Sequence, residues 1–446
     1  LHCDKGYFLH EASNHYLEEF FQKLSDYIYK QLEKKLLALQ TSMEKEKRIS
    51  KNKPIYEDVT PELLKQYIEL KVEISVLPSL KSFLLNEVKI EFYEISFPQI
   101  YSYSKDYLLL FRNIPIIEFH RCEFWLTSLI NSNNYTYIEC QFKWYWYLSG
   151  NLYSEKAQYQ SCCFFMDVSF GNNYSNTVVK RTFFQNCDFK KKLYLVNAVF
   201  TDKLFKDNGI KNNTLHQLQL DNCTFDQKFY LNNYEIHEFK AINTIFNKKF
   251  EFKNSKVLQS FELNNCNFEE LFDLHNSMFQ NFEIKRSIFS NLAIFEECVF
   301  GVNPNQYAIV ANFEYVTFEG IANFRYTKFN SGLNIEKINS EKSINFLNCH
   351  IDYMNSNRET FRIVKNSFDN IGNYIEANKF YVLEMKKYKD EVIKEGSFWD
   401  KFILYFNYLT SNFGSSYLRP ILWMFFLSLL YFIFREGYQQ NWLYQV

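Results

Sequence analysis

The chain has 446 residues, of which 48 are Phe and 33 are Tyr but only 11 are Gly, and its 50 basic side chains nearly balance 51 acidic ones. This aromatic content excludes a disordered or collagen-like chain, and the charge balance argues against a basic nucleic-acid binder. Because no basic segment followed by a short apolar one resembles a signal peptide, we expect the bulk of the chain in the cytoplasm.

Residues 1–89 are predicted to form an N-terminal helical region. Apolar residues recur at three- and four-residue intervals after Ser13, which predicts a long amphipathic helix capped by that serine. Thr60 and Pro61 are typical of the N-cap and first turn of a second helix, which Pro78 should end or kink. We expect this region to cover the open edge of the domain that follows, and binding of a partner is the alternative.

A small residue stands two positions before an apolar one throughout the middle of the chain. Cysteine takes this position before Phe124 and Phe268, and Ser277 takes it before Phe279. Phenylalanines recur at 10 or 11 residues or at about twice that interval, a period that fits neither a helix nor a flat strand. Such self-similarity predicts a solenoid of stacked coils. The residues predicted to fill its core are Cys122, Phe124, Cys140, Phe142, Cys187, Phe189, Cys223, Phe225, Cys266, Phe268, Phe279, Phe289, Cys298 and Phe300.

The cysteines follow this repeat rather than a metal-binding or disulfide pattern. Serine, alanine and threonine fill the same position, so we interpret the cysteines as small buried apolar residues. Cys162 and Cys163 are adjacent and every other pair is at least 18 residues apart, so no Cys-x-x-Cys pair exists. The eight histidines are scattered. We therefore expect no metal, no other cofactor and no disulfide.

The coil length identifies the family that the repeat resembles. Phe225, Phe246 and Phe268 are 21 and 22 residues apart, and a coil of this length with inward anchors after small residues resembles the pentapeptide-repeat family. The resemblance covers residues 90–352. It implies a mainly β fold, a right-handed quadrilateral parallel β-helix. The period is broken near residues 143–183 and 201–215, where we expect loops or bulges.

Residues 353–398 are predicted to be helical, with a turn between Asn370 and Asn373. This segment resembles one that follows the repeats in membrane-bound pentapeptide-repeat proteins. The matching residues are Phe361, Arg362, Lys365, Glu376, Ala377, Phe380, Tyr381 and Glu384. Residues 399–414 place apolar side chains on one face and end at Gly414, which predicts an interfacial amphipathic helix.

A run of apolar residues predicts a transmembrane helix at 417–436, followed by a post-membrane segment at 437–446. The buried helix of a soluble protein is the alternative. Lysines are enriched before this helix, so the positive-inside rule places the repeats on the cytoplasmic side of the membrane, and the composition suggests a bacterial inner membrane. The residues predicted to lie in the membrane are Leu418, Pro420, Trp423, Phe426, Leu430 and Phe434.

No nucleophile, acid–base or phosphate-binding motif emerges, so we expect no catalytic residues and no enzyme activity. Four consecutive aromatic residues, 144–147, interrupt the repeat. We interpret them as core or insertion packing, with a partner-binding patch or a ligand cage as the alternative.

Three functions fit these patterns. The first is a membrane-anchored scaffold or protein-interaction protein that presents a cytoplasmic solenoid to partner proteins. The second is a subunit of a homo-oligomeric ion-channel-like protein, although no potassium-channel filter motif is visible. The third is a gyrase-binding mimic of DNA, which is disfavoured because residues 111–350 hold 24 acidic and 24 basic residues. No nucleic-acid partner is expected, and the amphipathic and membrane helices suggest a homo-oligomer.

Overall fold

The computed structural model describes residues 14–46, 58–69, 78–98, 114, 116–129, 134–148, 157–171, 177–206, 213–302 and 309–439. The chain forms two compact units, Leu1–Ser277 and Met278–Val446. The predicted cap Ser13 lies outside the described residues. The same holds for residues 440–446 and for the centres of the two irregular stretches, 149–156, 172–176 and 207–212.

Among the described residues, three helices precede the strands of the first unit: α1 (Asn14–Glu46), α2 (Pro61–Ile68) and α3 (Pro78–Glu87). The Thr60 side chain accepts a hydrogen bond from the Leu63 amide and Pro61 opens the helix, so this N-cap prediction is confirmed. Pro78 was expected to end or kink a helix, and that prediction is wrong. It begins α3, where a missing amide N–H costs nothing because first-turn amides have no intrahelical partner.

Helix α1 covers the edge strand β1 (Ile90–Tyr93) of the first unit. The Tyr27 hydroxyl and the Gln31 amide both donate to the Glu91 carbonyl, at 2.9 and 2.8 Å. The Glu91 amide donates back to the Gln31 side chain, and Tyr27 stacks on Phe92 at 5.5 Å. These bonds satisfy backbone groups that an open strand edge would leave for other chains, so the predicted capping role is confirmed. One face of α1 is buried at Phe20, Leu24, Ile28, Leu32 and Leu36.

The remaining strands of the first unit are short and regularly spaced. They are β2 (Ser96–Phe97), β3 (Ile116–His120), β4 (Glu123–Phe124), β5 (Asn134–Ile138), β6 (Gln141–Phe142), β7 (Trp146–Tyr147), β8 (Tyr159–Gln160), β9 (Cys163–Phe164), β10 (Val168–Phe170), β11 (Thr177–Val179), β12 (Phe184–Gln185), β13 (Asp188–Val196), β14 (Ala198–Phe200), β15 (Asn213–Asp221), β16 (Thr224–Phe225), β17 (Phe229–Tyr230), β18 (Tyr234–Ile242), β19 (Ile245–Phe246), β20 (Phe250–Glu251), β21 (Lys256–Asn264), β22 (Asn267–Phe268) and β23 (Phe272–Asp273).

Successive coils pair in parallel, with like residues above like. Phe97, Phe124, Phe142 and Phe164 are consecutive partners in one ladder. Their rings stack with centroids 4.9, 5.0 and 4.5 Å apart and nearly parallel planes. These separations match the spacing of about 4.8 Å between hydrogen-bonded strands, so the strand ladder itself sets the ring stack. The predicted mainly β parallel solenoid with a filled core is confirmed.

The coils turn at residues in the left-handed backbone region. From 186 onward in the first unit, each of these corner residues is an asparagine with φ between 48° and 60°. Asparagine tolerates this region better than other non-glycine residues. Each corner residue immediately precedes an inward-pointing position, as Asn186 precedes Cys187 and Asn222 precedes Cys223. The eight asparagines are Asn186, Asn197, Asn222, Asn233, Asn243, Asn254, Asn265 and Asn276.

The second unit continues with the same kind of parallel coil and then becomes helical. Its strands are β24 (Met278–Lys285), β25 (Ile288–Phe289), β26 (Ala293–Ile294), β27 (Val299–Phe300), β28 (Ala311–Phe318), β29 (Ala322–Asn323), β30 (Lys328–Phe329), β31 (Leu333–Ser340) and β32 (His350–Ile351). Its helices are α4 (Arg358–Asn370), α5 (Tyr374–Glu395), α6 (Phe398–Ser411) and α7 (Leu418–Gln439).

Helix α4 closes the last coil of the second unit. Its N-cap is Asn357, whose side chain accepts from the Thr360 amide at 2.8 Å. The Thr360 hydroxyl donates to the Leu333 carbonyl and accepts from the Ile335 amide, so it joins α4 to β31. Helices α4 and α5 are separated by a turn at residues 371–373, as predicted from the sequence. Their pairing includes an ion pair between Arg362 and Glu384 at 3.1 Å.

Candidate functional site

Where the small residue of a coil is cysteine, serine or threonine, its side chain donates hydrogen bonds as well as filling space. The Cys140 thiol points at the carbonyl oxygens of Phe119 and Ile138, at 3.3 and 3.4 Å. Ser255 makes the same two-way contact with Leu231 and Lys253, at 2.7 and 2.9 Å. In both cases one acceptor is a carbonyl of the preceding coil, and the other is the carbonyl of the residue two positions before the donor. Small size is therefore the shared requirement of the position, since Ala198 fills it without a side-chain donor, and most of its other occupants add a donor.

All fourteen residues predicted to fill the repeat core are buried, with at most 2% of any of them exposed. No disulfide joins the cysteines that the structure describes. Burial raises the pKa of the Cys223 and Cys266 thiols to about 12. A thiol with so high a pKa carries almost no thiolate at neutral pH, which makes it a poor nucleophile and a poor metal ligand.

A buried guanidinium was not predicted from the sequence. Arg181 is 2% exposed and donates to the Tyr135 carbonyl at 2.9 Å and to the Thr136 hydroxyl at 2.9 Å. Burial lowers its pKa to about 10, because removal from water disfavours the charged form. Tyr137 and Tyr159 stack beside this region at 4.9 Å. Arg181 ties its own coil to residues two coils earlier.

Four polar side chains meet on the first coils. Glu91 and Glu118 are register partners on β1 and β3, and His120 lies two residues further along. Ligand atoms of these three residues lie within 4.8 Å of one another, a separation that a metal ion could bridge. Lys89, however, pairs with Glu91 at 2.8 Å and with Glu118 at 2.9 Å. Its hydrogen bond lowers the pKa of Glu91, so the lysine ammonium already supplies the cation.

The four consecutive aromatic residues divide between core and surface. Trp146 is buried and its Nε1 donates to the Tyr159 hydroxyl at 2.9 Å. Tyr145 and Tyr147 are exposed on the outer face. Phe165 is exposed too, and the Lys143 ammonium lies 3.9 Å from its ring centroid. The predicted core packing therefore holds for Trp146, whereas Tyr145, Tyr147 and Phe165 each expose an aromatic ring.

Helix α6 exposes an aromatic face although it packs against its neighbours at Leu404. It begins at Phe398 after the N-cap Ser397 and ends at Ser411, three residues before the expected stop at Gly414. The C-cap Asn412 takes the left-handed conformation. Its exposed apolar side chains are Phe398, Trp399, Phe402, Ile403, Tyr405, Phe406 and Leu409. An amphipathic helix with such a face is typical of the membrane interface.

Most side chains of helix α7 are apolar and exposed, although Arg419 and Trp423 near its N-terminus contact α6. Leu418–Tyr438 is long and apolar enough to cross a membrane by length and composition, and none of its most apolar window is buried. Among the described residues it is the one helix that meets this test. Of the residues predicted to lie in the membrane, Leu418, Phe426 and Phe434 are more than half exposed, and Trp423 and Pro420 are partly covered.

No protein-family model, no curated protein and no solved structure matches this chain. The geometry alone therefore defines its class. It is a mainly β parallel solenoid protein with a helical N-terminal cap and C-terminal helices, of which the last is long and apolar. A solenoid with these features fits a scaffold or interaction protein in general.

Proposed function

We propose that this protein is a membrane-anchored interaction scaffold without enzymatic activity. The observation that carries the proposal is the contrast in burial between the core phenylalanines and α7. Phe142 is fully buried, whereas Phe426 in α7 is 51% exposed and has apolar neighbours all round the helix. An exposed apolar surface of this size is unfavourable in water and favourable in a lipid bilayer.

The repeat is best assigned to the pentapeptide-repeat type. Three features support this assignment: coils of similar length, a small donor two residues before a buried phenylalanine, and left-handed corner residues. This assignment implies a right-handed, four-sided coil. Its interior is filled by stacked rings, so binding is left to the outward faces of the coils.

Charge around α7 sets the proposed orientation. Lys386, Lys387, Lys389, Lys394 and Lys401 lie in the two helices before it, and positively charged segments stay on the cytoplasmic side. The solenoid would therefore face the cytoplasm at a bacterial inner membrane. There its partners would be other proteins or further copies of the chain.

The outer faces of the coils carry features suited to protein partners. Acidic and basic residues alternate between neighbouring coils, as in the Lys240–Glu262 and Lys248–Glu270 pairs at 2.8 and 2.6 Å. The exposed rings of Tyr145, Tyr147 and Phe165 are of the residue types enriched in interfaces. The mixed charge gives no acidic stripe with which to imitate DNA.

Membrane attachment is tested by alkaline carbonate extraction of membranes from cells that express the full chain. We expect the protein to remain in the pellet. Leu427→Arg combined with Phe426→Arg should release it, because each arginine at the centre of a bilayer costs about 2.5–3.5 kcal/mol. The matched control is Ile375→Arg in α5, since Ile375 is 75% exposed and apolar but lies outside α7. Release of the unmodified chain by carbonate would contradict the proposal.

A further inference from the structure

Two cations share one aromatic ring where α5, α6 and α7 meet. The Lys389 ammonium lies 4.2 Å from the centroid of the Tyr408 ring, and the Arg419 guanidinium carbon lies 5.4 Å from it. The Lys389 ammonium and the Arg419 guanidinium carbon therefore lie less than about 10 Å apart. The Arg419 Nη1 also donates to the Tyr408 carbonyl at 2.8 Å, which holds the guanidinium at the C-terminus of α6.

Neither cation is neutralised by a carboxylate of the described chain. The salt bridges of α5 involve other residues, such as Arg358 with Glu391 at 3.0 Å. Asp390, the residue after Lys389, accepts instead from the Tyr353 hydroxyl at 2.8 Å. Two neighbouring cations held by a ring and a carbonyl repel each other unless an anion joins them. The geometry thus favours an anionic ligand that contacts both.

An apolar groove begins at the same arginine. It is lined by Arg419, Leu422, Trp423 and Phe426 and has a volume of about 300 Å³. Trp423 contacts the C-terminal part of α6, because its indole Nε1 donates a hydrogen bond to the Leu409 carbonyl at 3.4 Å. The groove runs along α7 from Arg419 to Phe426, which is about 10 Å at 1.5 Å per residue. One end is therefore cationic and the rest is apolar.

We propose that this junction binds one anionic glycerophospholipid. Its phosphate lies against Lys389 and Arg419, and the start of one acyl chain lies in the groove beside Trp423 and Phe426. The inference rests on the proposed membrane attachment, because the first turn of α7 then lies at the level of the lipid headgroups. A free phosphate would satisfy the cations but would leave the groove empty, and a zwitterionic lipid would add its own cation beside them.

The test uses the full chain purified in detergent, titrated with dioleoyl-phosphatidylglycerol and followed by native mass spectrometry. We expect one bound lipid that is retained in preference to dioleoyl-phosphatidylcholine. Lys389→Gln with Arg419→Gln should weaken its affinity about tenfold or more, the usual effect of losing a charge-assisted contact. Lys389→Gln alone should weaken it less and leaves the hydrogen bond between α6 and α7 intact. Phe426→Ala should weaken it without changing the charge.

The matched control is Lys394→Gln, which removes one exposed charge from the same helix away from Tyr408 and should leave the affinity unchanged. Far-ultraviolet circular dichroism should show the same helix and strand content in every variant. Equal weakening by Lys394→Gln, equal binding of phosphatidylcholine, or displacement of the lipid by inorganic phosphate would each overturn the proposed site. If the unmodified chain stays in the carbonate pellet while these results appear, only the lipid site fails. If alkaline carbonate releases the unmodified chain, the proposed membrane attachment is wrong, and the lipid site that rests on it is wrong too.

Discussion

The solenoid core and helix α7 use the same apolar residue types in opposite environments. In the core, Phe142 contacts the rings of neighbouring coils at 4.5 to 5.0 Å and is not exposed. In α7, Phe425 is 71% exposed, and none of the most apolar window of this helix is buried in the protein. Hydrophobicity by itself therefore does not define a residue's surroundings. The stacked rings of the core are held by protein packing, which the exposed rings of α7 lack.

The sharpest test of this contrast exchanges one ring in each region for alanine. Phe142→Ala should reduce the free energy of unfolding by about 3–5 kcal/mol, because it opens a cavity in the ring stack. Phe425→Ala in α7 should change the unfolding of the solenoid by less than about 0.5 kcal/mol, as at other surface positions. Urea denaturation in a mild detergent, followed by tyrosine and tryptophan fluorescence, measures both. Similar losses in the two variants would show that α7 is packed against protein.

A second test concerns the corners that separate one face of a coil from the next. Asn265 has a φ of 55° and donates to the Asn243 side chain at 2.8 Å. Asn265→Val should destabilise the solenoid by about 1–2 kcal/mol, because a β-branched side chain fits the left-handed region much less well than asparagine does. Asn265→Gly should change the stability by less than about 1 kcal/mol, since glycine enters this region freely. Thermal unfolding compares the two, and an equal loss would refute the backbone argument.

The smallest expected effect is on the pH dependence of stability. The Cys266 thiol has a pKa near 12 in the fold against 9.0 for an ordinary thiol. Its protonated form is therefore favoured by folding, and the stability it contributes is complete below pH 9 and is lost as the pH rises toward 12. Between pH 8 and pH 10 the loss of unfolding free energy caused by this thiol amounts to about 1 kcal/mol.

Cys266→Ser removes this titration while keeping a small donor, as Ser255 and Ser277 show in the same position. The variant should therefore lose less stability than the wild type when urea midpoints are compared at pH 8 and pH 10. The remaining titrating groups are the same in both proteins, so the difference isolates one thiol. An identical pH dependence would mean that the thiol reaches water in the folded protein.

The core positions of the repeat could be predicted because they depend on local spacing. Cys266 and Phe268 are two residues apart, so in a strand they point to the same side, and the repetition of this pair predicts stacked coils. The asparagine corners were missed although the signal was present, since an asparagine directly precedes Cys187, Cys223 and Cys266. The repeated spacing indicates the size of the inward residue, but it does not indicate the left-handed backbone conformation of the residue before it.

Other features could not be predicted from residues that are adjacent in the sequence. Pro78 was assigned to the end of a helix because proline is compatible with both a helix stop and a first turn, and only the course of the chain distinguishes them. Glu91 and Glu118 are 27 residues apart and meet only because β1 and β3 pair in this register. Their shared ion pair with Lys89 follows from that register.

The sequence by itself determined the elements whose cause is periodic: the coils, the amphipathic helix α1 and the apolar helix α7. Each of these follows from the spacing of apolar side chains along a regular backbone. Only the tertiary structure decided which polar groups meet. Lys389, Tyr408 and Arg419 come from three helices, and their approach depends on the turns between those helices. Electrostatic interactions act through space, so their partners are set by the fold and not by order along the chain.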